Sequence, residues 1–235
     1  MKDEDIDDIL KKAAPAPQDL DPLVLERIGD LIKPSLGPVP PLPPVWLMAV
    51  SLVLVCAAVS LAGAARAGFF GVEKMNLLER SLVFPALGLL ACLAAVSFVH
   101  QMIPASRLHV SPSALLTLSS VALLAVFAPL FRDYHTDHFF LAGIACLLTG
   151  LLHAIPAGLL SWLMLRRGFA VNPASAGLVA GTLGGLAGVG MLELHCPNFQ
   201  AAHILVWHTA VIPVSAALGA LLGWELRFRA RSDDR

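Results

Sequence analysis

Apolar residues run in six long blocks, at 45–65, 81–103, 112–130, 139–165, 174–195 and 203–224. Each is about the ~20 residues a helix needs to cross a hydrocarbon core ~30 Å thick. None shows the short strand-length alternation of a membrane β-barrel, and lipid leaves the helix as the other way to satisfy backbone polar groups. The pattern predicts an all-α, polytopic membrane protein with six spans. It divides the chain into a tail at 1–44, a bundle at 45–224 and a short basic end at 225–235.

The tail has a different rhythm. Ile6, Ile9, Leu10 and Ala13 form one short amphipathic run, and Leu20, Leu23, Val24, Leu25, Ile28, Leu31 and Ile32 form a second. Spacings of three and four place most of them on one helical face. Asp19 or Asp21 suits the cap of the second run, with Pro22 in its first turn. Six prolines then fall within residues 34–44, which predicts an extended, semi-rigid spacer leading into the first span.

Composition sharpens this picture. The chain is 57% hydrophobic and 14% charged, with a mean hydropathy of +0.76. A soluble domain carries about 25% charged residues. Twelve of the sixteen Lys and Arg residues belong to the two termini and the even-numbered loops, so the positive-inside rule expects both termini in the cytoplasm. The tail itself is acidic, with nine carboxylates against five basic residues. That disfavours docking on anionic lipid and favours a basic protein partner. Leu20, Leu23, Val24, Ile28, Leu31 and Ile32 are the expected partner-binding residues.

Few polar groups enter the spans. Glu193 reads as a surface-proximal carboxylate near the outer end of the fifth span, and His153 as a hydrogen-bonding residue within the fourth. Gly177, Gly181, Gly184 and Gly188, with Gly219 and Gly223 in the sixth span, make small-xxx-small patterns that allow close helix approach. Cys56 and Cys92 read as small apolar fillers. Cys146 and Cys196 fall toward the outer, oxidising side, where a disulfide between them is one option. His135, His138, His195, His203 and His208 gather on the same side. Imidazole with thiolate suits soft or borderline divalent metals, so His135, His138, His203 and His208 are candidate ligands. The alternative is that they merely anchor helix ends at the interface. His203 and Trp207, four apart, are expected on one helical face.

Several segments together resemble the NrsF-type proteins. They are Ala145-Cys146 through Ile155-Pro156, Leu165-Arg166-Arg167-Gly168, Asn172-Pro173, Ala176-Gly177, Leu194-His195-Cys196-Pro197, Val206-Trp207-His208 and Gly219-Ala220-Leu221-Leu222-Gly223. The tail ending Pro38-Val39-Pro40-Pro41-Leu42-Pro43-Pro44 is similar as well. Gly37, where basic residues are usual, and His153, where a small hydroxyl residue is usual, depart from the pattern. The resemblance implies a six-span anti-sigma factor of the bacterial inner membrane. Its cytoplasmic segment would sequester an extracytoplasmic-function (ECF) sigma factor, a protein with basic surfaces for promoter DNA. An outer-side signal would release it. The resemblance further implies that paired cysteines, here Cys146 and Cys196, form the sensing element. Oxidation or transition-metal binding at these two thiols, aided by His195, is the expected signal.

No enzyme motif accompanies Glu193, His195 and Cys196, so the chain is not read as an enzyme. Direct nucleic-acid binding is not expected either. The rival expectation is a small transporter or channel for a metal or organic solute, using His153, His208 and Glu193 along a path.

Overall fold

The structure is a computed structural model that describes residues 22–32, 43–103, 110–136, 138–165 and 172–233. It divides into two units, 1–42 and 43–235.

In the first unit, helix α1 (Pro22–Ile32) forms where the amphipathic run predicts it. Leu23, Val24 and Ile28 are exposed on it. Leu20 and the side chains of Leu31 and Ile32 lie outside the described residues, as do the first amphipathic run and most of the proline spacer.

The second unit is the bundle. Its spans are α2 (Val45–Ala67), α4 (Leu77–Met102), α5 (Pro112–Leu130), α6 (Phe139–Leu165), α7 (Pro173–His195) and a sixth span at Ala201–Glu225. A short helix α3 (Phe70–Lys74) sits between the first two. The sixth span is built from α8 (Ala201–His203), a π-turn (Ile204–His208) and α9 (Thr209–Asp233). All six expected spans are present, and the architecture is all-α as expected.

Local chemistry sets the helix starts. Span two opens at Leu77, four residues before its apolar block, because Asn76 and Glu79 form a reciprocal capping box. Asn76 Oδ1 accepts from the Glu79 amide at 2.9 Å, and Glu79 Oε2 accepts from the Asn76 amide at 2.8 Å. Ser111 and Asn172 cap α5 and α7, each followed by a proline in the first turn.

Helix α7 is the axis of the bundle. It touches each of the other spanning helices, and 78% of its most apolar window is buried, against 17–44% for the others. Its glycines explain how. A Cβ on Gly177 would run into the carbonyl oxygen of Gly219, and one on Gly188 into that of Gly150. Only bare backbone lets α9 and α6 come this close, and such contact is what drives association where lipid removes the hydrophobic effect. Helix α6 sorts its residues to match. Gly143, Gly150, Ala154, Ala157 and Ser161 face inward, while Leu141, Leu148, Leu152, Ile155 and Leu159 are exposed toward the lipid position.

The connections after spans one, three and five meet at one end of the bundle. Gly71 packs against the carbonyls of Glu193 and Cys196, with room for no side chain. Asp133 pairs with Gln200 in an isolated bridge, the Ala201 amide donates to the Asp133 carbonyl at 2.5 Å, and the Phe131 and Phe199 rings stack at 5.5 Å. This end holds the candidate site.

Candidate functional site

Cys146 lies on α6, Cys196 caps the end of α7, and His203 and His208 come from the start of the sixth span. These four come together. One donor atom from each lies within 4.8 Å of every other. The thiols are free, with their Sγ atoms 3.6 Å apart. Cys196 Sγ lies 3.7 Å from His203 Nε2, and the two imidazoles meet edge to face at 5.2 Å. Cys146 is half-buried, and the other three are buried.

The π-turn makes this grouping. In a regular α-helix, residues five apart stand roughly 140° apart around the axis. His203 and His208 would then face different neighbours. Here the Thr209 amide reaches back to the Ile204 carbonyl, an i→i−5 bond that fits one extra residue into the turn. Both imidazoles then point inward. The structure thus brings His203 against His208. The Trp207 indole occupies the space a side chain on Gly143 would need and packs against Phe139 and Phe140.

Glu193 completes the cluster. Its Oε1 accepts from His208 Nδ1 at 2.7 Å, and both side chains are 1% exposed. The surface-proximal reading of Glu193 is therefore corrected. It sits on the last turn of the buried helix with its carboxylate turned onto His208 of the sixth span, while Gly71 of α3 packs on its backbone carbonyl. Those neighbours come from other parts of the chain, so local hydropathy carries no trace of them. His208 Nε2, His203 Nδ1 and Glu193 Oε2 are buried without a hydrogen-bond partner. Native interiors leave few such atoms unsatisfied.

The other sequence candidates go elsewhere. His195 directs Nδ1 to the Gly68 carbonyl at 3.0 Å and packs beside Phe70, so it ties down the covering segment. Gly68 has φ +105°, a left-handed conformation that suits glycine. Lys74 adds a bond from its Nζ to the Pro197 carbonyl at 3.2 Å. His135 is exposed and bonds Asp133 at 2.5 Å, and this hydrogen bond holds the Asp133 carboxyl below its ordinary value. His138, with φ +54°, is also exposed. Neither His135 nor His138 belongs to the four-residue group. His153 bonds its own helix at the Thr149 carbonyl, 2.8 Å away, and its ring lies where a Cβ on Gly63 would stand.

Two thiols, two imidazoles and a carboxylate can bind a soft or borderline metal ion or exchange electrons through the thiol pair. The geometry of Cys146, Cys196, His203 and His208 is compatible with a metal site.

No curated protein and no solved structure matches the chain. Residues 34–228 match the family NrsF, described as negative regulator of sigma F. That match spans the proline spacer, the bundle and its buried thiol–imidazole end, and the chain belongs to the NrsF family.

Proposed function

We propose that this chain is an anti-sigma factor of the bacterial inner membrane with both termini in the cytoplasm. It sequesters an ECF sigma factor through its N-terminal segment. It releases that factor when a redox or metal signal reaches Cys146 and Cys196 on the opposite side. Family membership over residues 34–228 carries this reading.

Two physical features support it. An isolated 11-residue helix is marginal in water, and α1 exposes Val24 and Ile28. A groove on a partner protein would cover that face, and the acidic tail complements a basic surface. Within the bundle, the free thiols are close enough to respond together to an oxidant or a metal. His195 contributes by holding the segment that covers Cys196. The lipid bilayer is the second partner, and no direct contact with nucleic acid is part of the mechanism. A transport path through His153, His208 and Glu193 is disfavoured, because Glu193 and His208 are paired with each other at one end of the bundle and His153 bonds its own helix at Thr149.

The test is capture of the cell's sigma factors by the full-length protein in detergent. One sigma factor should be retained, and a Val24→Asp/Ile28→Asp variant should lose most of it while remaining folded. Failure of the unaltered protein to retain any sigma factor would overturn the reading.

A further inference from the structure

We propose that Cys146, Cys196, His203 and His208 form a tetrahedral site for a thiophilic divalent cation of the zinc or cadmium class, and that Glu193 positions His208 within it. The assignment deepens the reading of the thiol pair as signal input and rests on that reading for its biological consequence. The binding chemistry stands on geometry alone.

The spacing of donors comes first. With Zn–S near 2.3 Å and Zn–N near 2.0 Å, a tetrahedral site has edges of about 3.8 Å between sulfurs and about 3.5 Å between sulfur and nitrogen. The Cys146–Cys196 sulfurs stand 3.6 Å apart, and Cys196 Sγ stands 3.7 Å from His203 Nε2. These two edges already have the length a tetrahedral site needs, and the remaining donor pairs lie within 4.8 Å of one another.

His208 is held in a state suited to ligation. Glu193 occupies its Nδ1 at 2.7 Å. A carboxylate there accepts a hydrogen bond from Nδ1–H, which keeps the proton on Nδ1 and leaves the Nε2 lone pair free to ligate. That Nε2 is the atom buried without a partner. A carboxylate behind a ligating histidine is the usual way a metal site fixes ring orientation and tautomer. It also explains why a carboxylate is tolerated at this depth.

A π-turn occurs mostly as a single-turn insertion in an α-helix, frequently at a functional site, and this one brings both imidazoles to the thiols. On binding, each thiol gives its proton to solvent and its sulfur lone pair to the cation. Two metal–sulfur bonds form as two S–H bonds break, and no electron transfer is involved.

Cobalt(II) is the probe, because zinc and cadmium lack visible bands. Titrated into the reduced, full-length protein in detergent, it should bind once per chain. The expected signature is intense tetrahedral d–d absorption with sulfur-to-cobalt charge transfer, bleached by added zinc or cadmium. Cys146→Ser and Cys196→Ser should each remove about half of the charge-transfer intensity or all of it. His208→Ala should collapse the d–d intensity. Glu193→Gln should keep the band shape and weaken binding by about 10–100-fold. Cys92→Ser, a distant thiol, should change nothing. Weak octahedral bands in the unaltered protein would overturn the proposal, and so would a thiolate site indifferent to both His203→Ala and His208→Ala. Sigma-factor capture by the same preparations separates the two readings. Capture without the cobalt signature overturns this proposal alone, and the cobalt signature without capture overturns the anti-sigma reading alone.

Discussion

A carboxylate inside a lipid-embedded bundle needs a partner, and Glu193 has one in His208 at 2.7 Å. Both side chains are 1% exposed, so solvent screens the pair very little. Removing one member of a buried pair leaves the other uncompensated and costs about 3–5 kcal/mol, whereas replacing both by apolar residues of similar volume is often neutral. His208→Leu should therefore destabilise the protein by about that amount, and Glu193→Leu/His208→Leu should recover most of the loss. Unfolding in a graded detergent or denaturant series measures both. A double variant as unstable as the single one would show that the pair has a further structural role. At this scale the sequence was only partly legible. The residue types at 146, 196, 203 and 208 announce metal or thiol chemistry, and their position on one side of the membrane follows from the span order. Glu193 does not announce itself, because its burial goes with a partner, His208, supplied by the next span.

At the scale of elements, hydrophobic blocks and small-residue spacing predicted the six helices and the close approach along α7. Those signals are local and periodic, and the membrane enforces them by forbidding unpaired backbone. Two features escaped. The start of span two depends on a polar capping box outside the apolar block. The π-turn depends on one inserted residue, which leaves the hydropathy of Ala201–Glu225 unchanged. That inserted residue can be tested. Val206 is exposed on the lipid side of the turn, so its deletion removes little packing while letting the turn relax toward α-helix. With one residue fewer the two histidines stand four apart in a regular helix, about 40° from each other, so the deletion should keep the imidazoles paired and preserve the tetrahedral cobalt spectrum, with the protein still inserted and monodisperse. Loss of the spectrum in a folded deletion variant would mean that the π-turn itself, and not the shared face of the two histidines, sets the site.

For the whole molecule, the question is whether events at one end carry enough free energy to act on a partner held by the tail. Reversing a 99:1 preference for the bound state takes a change of about 5.5 kcal/mol in relative stability. A ligand that binds only one state supplies about 4.1 kcal/mol at a thousand times its dissociation constant. Cation binding at the four-residue site is therefore of the right order to weaken sigma-factor binding strongly, though not to abolish it at modest concentrations. Linkage makes this falsifiable without knowing the path between the sites. If the cation lowers sigma-factor affinity by some factor, the sigma factor must lower cation affinity by the same factor. Cobalt titrations of the full-length protein with and without saturating sigma factor should thus shift by the ratio seen when sigma-factor affinity is measured with and without cobalt. For a coupling of 1–3 kcal/mol that ratio is about 5–150. Equal cobalt affinities in the two titrations, with capture intact, would mean that the site binds its cation without governing release. The thiol pair would then act on the sigma factor through oxidation.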